Sequence, residues 1–376
     1  MILEVEKFKD SCKKVLGAVE TDSSLKNVIY GYDTLELDFS DGSLKLNVTN
    51  GEYYASLTIG ATGDESLRAV VDAKLFLTLV AKITTKEMEV FIEGNALVVK
   101  ANGTYKFPLK YDMESLVVLP KIELGEKVTD FVIDSSILLS ILGNNTGILA
   151  DDKSNRPMLE KTYYLDQEGC ITFTRTTACV YSFTLPQPIK VLMSQKFVRL
   201  FKLFHEGDVK VSIGIVDVGA NVQTRMLLEQ EGLSVISILP GDQNTVSSVP
   251  VQVIRGRAKG VYKYSATFDK AYFMEAVDRL LLFDGQNPSL SRGVGEFDFD
   301  GEGASIKIVA GNGNEYVPYV TSSVTEPYKA RLDLVHLREV LASAQVGNFT
   351  MRFGDDTAVV IVCGSVINVI GQTRGY

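Results

Sequence analysis

The sequence predicts an α+β protein assembled from one helix-plus-antiparallel-sheet unit written six times. Three observations predict it: short amphipathic helix patterns recur along the 376 residues, they open on a capping residue at a shared register, and strand patterns of period two follow each one.

The helices come first. The opening copy is the most degenerate and runs through Leu3, Glu4, Phe8, Cys12 and Leu16. In the other five an apolar marker, Val71, Ile133, Met193, Phe268 or Leu332, precedes Asp72, Asp134, Ser194, Asp269 or Asp333. Those are N-cap residue types, able to accept from the unpaired N–H groups of a first helical turn. Four and five positions past the marker stand Leu75/Phe76, Ile137/Leu138, Phe197/Val198, Tyr272/Phe273 and His336/Leu337; eight past it stand Leu79, Ile141, Phe201, Ala276 and Val340. That spacing is the one-sided stripe of a short amphipathic helix. The markers, counted from Leu3, are separated by 68, 62, 60, 75 and 64 residues, so six units fill the chain.

Between the helices the period changes to two. TLELDFSDGSLKLNV, EVFIEGNALVVKA, YYLDQEGCITFTR, KVSIGIVDVGANVQTRMLL, EFDFDGEGASIKIVA and TMRFGDDTAVVIV each read as strand, turn and strand. Further strands such as YYASLTI, TYKFPL and YVPYV follow. Two units make a domain of usual size, which divides the chain into 1–122, 123–247 and 248–376, with joins near VLPKIELGEKVTD and LPGDQNTVSSVPVQVIRGRAKG, where periodicity lapses.

Bulk properties narrow the function. Apolar residues at 45% and charged residues at 23% suit a globular protein with sizeable cores. The start, MILEVEKFKDSCKK, has acids among its apolar residues and does not read as a secretory signal, and no apolar run is long enough to span a bilayer, so a cytoplasmic protein without membrane contact is expected. Cys12, Cys170, Cys179 and Cys363 lie far apart without a CxxC pair, which predicts buried thiols and no metal site. The net charge of −9 excludes a broadly basic nucleic-acid binder, but not one whose positive charge is concentrated on a single surface.

Catalysis finds little support. His205 is expected to close the fourth helix and His336 to occupy a helix stripe, both structural roles. GVGEFDFDGEG lies within strand pattern instead of opening a helix, so it fails as a dinucleotide loop, and its carboxylates read as a hairpin turn and an exposed face. No cofactor, no metal and no catalytic residue is expected.

Three domains, each a doubled helix-and-sheet unit, in a chain of this length resemble the bacterial-type β sliding clamp, the processivity factor of DNA polymerase III. VDAKLF at 71–76 is similar to the family's first-domain helix start, NRPMLE at 155–160 sits where the family has a loop leading into a hairpin, and LSVISILP at 233–240 resembles the segment closing its second domain. The family's TDGHRL appears as TRTTAC at 174–179 and its Met-Pro tail as NVIGQTRGY at 368–376, which marks a divergent member of bacterial or phage origin.

The resemblance implies a head-to-tail homodimeric ring around duplex DNA, nucleoid-associated in the cytoplasm, holding the replicative polymerase. A packing estimate agrees: helices lie about 8–10 Å apart, so twelve abreast leave a lumen of roughly 28 Å, whereas six leave no room for a duplex. The six helix segments carry a net +1 of the chain's −9, leaving −10 for the remainder. Lys7, Lys9, Lys13, Lys14, Lys74, Lys196, Arg199 and Lys202 are the candidate phosphate contacts, weak and sequence-independent as sliding requires, and Arg156 joins them from the family's DNA-proximal loop. The resemblance also implies an apolar pocket between the second and third domains for short linear motifs of polymerase and clamp loader, walled by Leu159, Thr174, Cys179, Leu233, Ile238 and Ile370. The competing reading is a repeat-built oligomeric scaffold or virion component that does not encircle DNA.

Overall fold

The computed structural model describes residues 1–20, 31–145, 148–151, 154–219, 221–286, 293–355 and 357–373; of the C-terminal tail, residues 374–376 lie outside the described residues. Its helices are Val5–Leu16 (α1), Ala73–Lys82 (α2), Ser135–Asn145 (α3), Gln195–Arg199 (α4), Gln243–Ser247 (α5), Val251–Ala258 (α6), Lys270–Leu281 (α7) and Leu334–Ser343 (α8). Six of them start where the repeat places them. Asp72 accepts from the Leu75 N–H at 2.7 Å, Asp269 from Tyr272 at 2.8 Å and Asp333 from His336 at 2.9 Å. Asp134 accepts from Ser136 at 2.8 Å, while Glu4 before α1 makes no side-chain cap bond. The stripe is narrower than the spacing suggests: Phe76, Leu138, Val198, Phe273 and Leu337 are buried, whereas Leu75 and Tyr272, one position earlier, are exposed.

The fourth helix departs from the expected pattern. It makes α geometry only over Gln195–Arg199 and tightens to a 3₁₀ turn over Leu200–Leu203. Phe197, Val198, Leu200, Phe201 and Leu203 are all buried, more than a single 3.6-period face accommodates, and the tighter turn aligns Leu200 with Leu203. His205 therefore lies beyond the helix; it is exposed, with Nε2 2.9 Å from Glu231.

All six hairpins form, with Glu36 opposite Asn47, Glu89 opposite Lys100, Tyr164 opposite Ile171, Lys210 opposite Glu229, Gly295 opposite Ile308 and Thr350 opposite Val362. Each helix of the repeat also follows a short strand, so its apolar marker is the last inward residue of that strand.

The chain folds as two compact units. The first comprises Met1–Leu138 with Lys196–Asp242. Its larger sheet runs Glu126–Asp134, Asp208–Val218, Asn221–Gln230, Leu233–Ile238, Tyr53–Gly60, Ser43–Thr49, Thr34–Ser40 and Leu67–Asp72. Leu233–Ile238 pairs antiparallel with Tyr53–Gly60, so this sheet draws four strands from either side of residue 122. A second sheet orders Ile2–Glu4, Glu87–Glu93, Ala96–Lys100 and Thr104–Pro108. Helices α1 and α2 meet through Phe8 and Phe76, ring centroids 6.2 Å apart, and Phe107 packs edge-on against Phe76 at 5.3 Å.

The second unit comprises Leu139–Gln195 with Gln243–Tyr376. Its nine-stranded sheet joins Thr177–Ser182 to Val366–Gly371, again across an expected division. A four-stranded sheet places Val294–Phe299 between Gly303–Ile308 and Tyr328–Asp333. Their core is aromatic: Phe268, Phe273, Phe297, Phe299, Phe349 and Phe353 are fully buried, with Phe299 and Phe353 stacked at 4.1 Å. Across Val294–Phe299 and Tyr328–Asp333, Glu296 faces Arg331 and Asp298 faces Lys329. Asp300 accepts from the Glu302 and Gly303 N–H groups, so the carboxylates of FDFDGEG serve a turn and a sheet face as expected.

The segment 239–260, expected to be an irregular join, contains α5 and α6. The alternating VPVQV hides a helix whose buried residues, Ile254, Arg255 and Ala258, follow helical spacing. Likewise the segment 118–130 is irregular only to Gly125, after which Glu126–Asp134 forms a sheet-edge strand.

Candidate nucleic-acid and peptide interface

The helix cations divide into paired and unpaired sets. On α1, Lys7, Lys9 and Lys13 each reach an acid three residues earlier, Glu4 at 2.7 Å, Glu6 at 3.0 Å and Asp10 at 3.1 Å. Lys196 lies 3.7 Å from Glu20. The pairs of Lys7 and Lys13 are exposed at both partners, and such pairs are weak and exchange readily for another anion; Lys9 and Lys196 are more covered. Lys14, Lys74, Arg199 and Lys202 have no acid within ion-pair distance among the described residues. Lys202 and the α1 terminus converge: a Cβ at Gly17 would sit 3.4 Å from Lys202 Cε, which places that ammonium stem beside the last turn carrying Lys13 and Lys14. Lys74 occupies the first turn of α2, where a cation is disfavoured by the helix dipole. Its N–H donates to Asp33 at 2.9 Å and Asp72 caps the same turn, so two carboxylates compensate it.

Two of the cavities formed by the described residues lie in the second unit. The smaller, about 280 Å³, is an apolar groove between α6 and a sheet surface, walled by Pro250, Val253, Ile254, Phe173, Ala178 and Val369. Val253 is 65% exposed, an open apolar side chain beside the buried Ile254. Helix α6 is held in place by Arg255, whose guanidinium makes a bidentate pair with Asp166. At the groove rim Arg257 donates to the Thr357 hydroxyl.

The larger cavity, about 530 Å³, is lined by the segment 148–151, Ser154, Arg156, Glu160, the turn 174–177, Asp333, His336, Glu339 and the strand end 370–373. Burial holds the His336 imidazole below its ordinary pKa, against the opposing pull of Asp333 and Glu339, so the ring is neutral at pH 7.

The residues expected to form the peptide pocket separate in space. Thr174 lines both cavities, and Ile370 and Arg156 line the larger one. Leu159 packs beneath the groove against the cluster that holds Ala178, Ile254 and Val369. Cys179 is fully buried in the aromatic core, where its thiol is pushed far up by desolvation and donates to the Asn144 carbonyl at 3.6 Å. Leu233 and Ile238 belong to the first unit, in the strand paired with Tyr53–Gly60, and line neither cavity. Pro250, Val253, Ile254 and Arg257, which also line the groove, sit in a segment whose lapsed periodicity marks a join; Ile254 and Ala258, four residues apart after Pro250, carry the helical signal. All four cysteines are buried free thiols. No described helix is long and apolar enough to cross a membrane, and no cluster of metal-ligating side chains occurs among the described residues.

The repeat, the sheet order and the helix placement define a sliding-clamp fold. The DNA polymerase sliding clamp from Pseudomonas aeruginosa superposes with a TM-score of 0.80 at 14% identity, covering 100% of this chain and 99% of that one. The beta subunit from DNA polymerase of Streptococcus pyogenes gives 0.80 at 14% identity with the same coverage, and the DNA polymerase sliding clamp from Bacillus subtilis gives 0.75 at 16% identity. No family model matches the chain, and no curated protein sequence matches it.

Proposed function

We propose that this protein is a DNA sliding clamp: two copies close head to tail around duplex DNA and tether a replicative polymerase for processive synthesis. The observation that carries the reading is the full-length agreement in fold with sliding clamps, which covers 100% of this chain. On this reading the chain comprises three clamp domains, 1–122, 123–247 and 248–376, and is not an enzyme. It acts in the cytoplasm, on the nucleoid. Lys14, Arg199 and Lys202, free of ion pairs among the described residues, supply the main phosphate contacts; Lys7, Lys9, Lys13 and Lys196 exchange a carboxylate for a phosphate, and Lys74 and Arg156 contribute at the margin. Such contacts hold the duplex without reading bases, so the protein moves along it.

The polymerase and the clamp loader dock through short apolar motifs in the groove beside α6. Its walls are apolar, one side chain stands open to solvent, and cations rim it, as an anchor pocket needs. Thr174 belongs to that pocket and Leu159 supports it from beneath; Ile370 lines the adjoining cavity.

Topology tests the proposal. After loading, the protein should stay on nicked circular DNA through a high-salt wash and leave when the circle is cut. Retention that is indifferent to cutting would instead favour a scaffold that binds without encircling.

A further inference from the structure

The groove and the larger cavity share the turn 174–177, yet their chemistry differs. The cavity sets four carboxylates, Asp151, Glu160, Asp333 and Glu339, against the guanidiniums of Arg156 and Arg175. Glu160 is the unusual member. It is only 5% exposed, and its carboxylate lies 3.8 Å from Arg156 Nη1 and 3.8 Å from Arg175 Nε, beyond hydrogen-bonding reach. Its Oε2 has no hydrogen-bond partner among the described residues, and neither has Nε2 of His336 on the same cavity. A buried carboxylate oxygen without a donor is costly, and folded proteins satisfy it with a ligand or water. Both flanking arginines are largely exposed and pair with Glu160 only at ion-pair distance; with them counted, the lining still sets four carboxylates against two guanidiniums, an acceptor-rich, net-negative cavity.

We propose that this cavity receives the positively charged side chain of a basic residue flanking a partner's apolar docking motif, with the Glu160 carboxylate as its counter-ion. The inference rests on the reading of the adjoining groove as the docking site. A guanidinium offers five donors in a planar fork, enough to satisfy a carboxylate oxygen and a neutral imidazole nitrogen together. An anion fits poorly, because the carboxylates outnumber the cations and the innermost of them is fixed by burial.

Dye-labelled hexapeptides with a Leu-Phe anchor test this on the full chain by fluorescence anisotropy, with arginine or its neutral isostere citrulline moved through each position before the anchor. At one position arginine should bind roughly ten-fold more tightly than citrulline, and Glu160→Gln should reduce that preference to about two-fold or less while leaving citrulline binding unchanged. Glu339→Gln, on the exposed face of α8, should lower the preference about two-fold without affecting folding. Equal binding of the two peptides at every position, or a preference that survives Glu160→Gln, overturns the inference while leaving the groove reading intact. If no peptide binds, the groove reading fails, and acetyl-arginine-amide titrated against isotope-labelled protein decides the cavity alone. Amide shifts at Thr174–Thr177 and Gln372 that vanish in Glu160→Gln sustain the cavity assignment; their absence ends it.

Discussion

Arg255 and Asp166 meet in a buried bidentate pair, Nη1 to Oδ2 at 2.8 Å and Nη2 to Oδ1 at 2.5 Å, with side chains 9% and 10% exposed. The pair fastens α6, and with it one wall of the apolar groove, to the strand Thr162–Asp166. Removing one partner strands the other charge in the interior. Arg255→Ala should therefore cost about 3–5 kcal/mol in chemical denaturation, and Arg255→Met combined with Asp166→Leu should cost less, because the double change leaves no unpaired buried charge, though it strands the Glu168 N–H that Asp166 accepts from. Equal losses in the single and double variants would show that the pair does not anchor the helix.

Val253 projects from α6 into the groove while mostly exposed, so its replacement separates docking from folding. Val253→Glu should shift the unfolding free energy by less than about 0.5 kcal/mol, as surface changes do, and abolish stimulation of processive primer extension by a cognate polymerase. Stimulation that persists would move the docking site elsewhere.

Arg199 and Lys202 have no ion-pair partner among the described residues, unlike Lys9, which is held by Glu6. Affinity for duplex DNA should fall with salt on a log–log slope that loses roughly one for each of Arg199→Ala and Lys202→Ala, and less for Lys9→Ala, whose removal also frees an acid. The slope is read from anisotropy at several salt concentrations. A larger effect from Lys9 than from Lys202 would reverse the assignment of the DNA-facing cations.

Burial lowers the pKa of His336 from its ordinary value of 6.5. A base whose folded pKa is depressed binds its proton more readily when unfolded, so the unfolded state gains protons first as pH falls. Stability should thus be full above about pH 6.5 and decline below it, until the folded-state pKa is also passed. His336→Gln should flatten that part of the profile in thermal melts taken between pH 7.5 and pH 5. An unchanged slope would assign the acid sensitivity to another group.

The cap bonds of Asp72, Asp269 and Asp333 predict a cost of roughly 1 kcal/mol for replacement of any one by alanine, measurable as a lowered denaturation midpoint. Loss of the Glu4 side chain, which makes no such bond, should cost less.

Much of this architecture was legible in the sequence because it is local. A capping aspartate bonds the N–H three residues on, an amphipathic stripe repeats within two turns, and a hairpin closes across a few residues; thus the caps at Asp72, Asp269 and Asp333 and all six hairpins are written where they form. Local pattern failed where tertiary burial overrode it. The fourth helix tightens because Phe197, Val198, Leu200, Phe201 and Leu203 must all be covered, and α6 forms from an alternating apolar run because Arg255 finds Asp166, 89 residues away in sequence.

By itself, then, the sequence determined the repeating unit, its caps and turns, and through them the fold class. Only the tertiary structure decided that Leu233–Ile238 pairs with Tyr53–Gly60 and Thr177–Ser182 with Val366–Gly371, that Cys179 and Leu233 are buried, and that Glu160 and His336 line one cavity. Strand edges and cavity walls are chosen by which distant surfaces bury each other. That choice depends on packing across hundreds of residues, which periodicity within a ten-residue window does not encode.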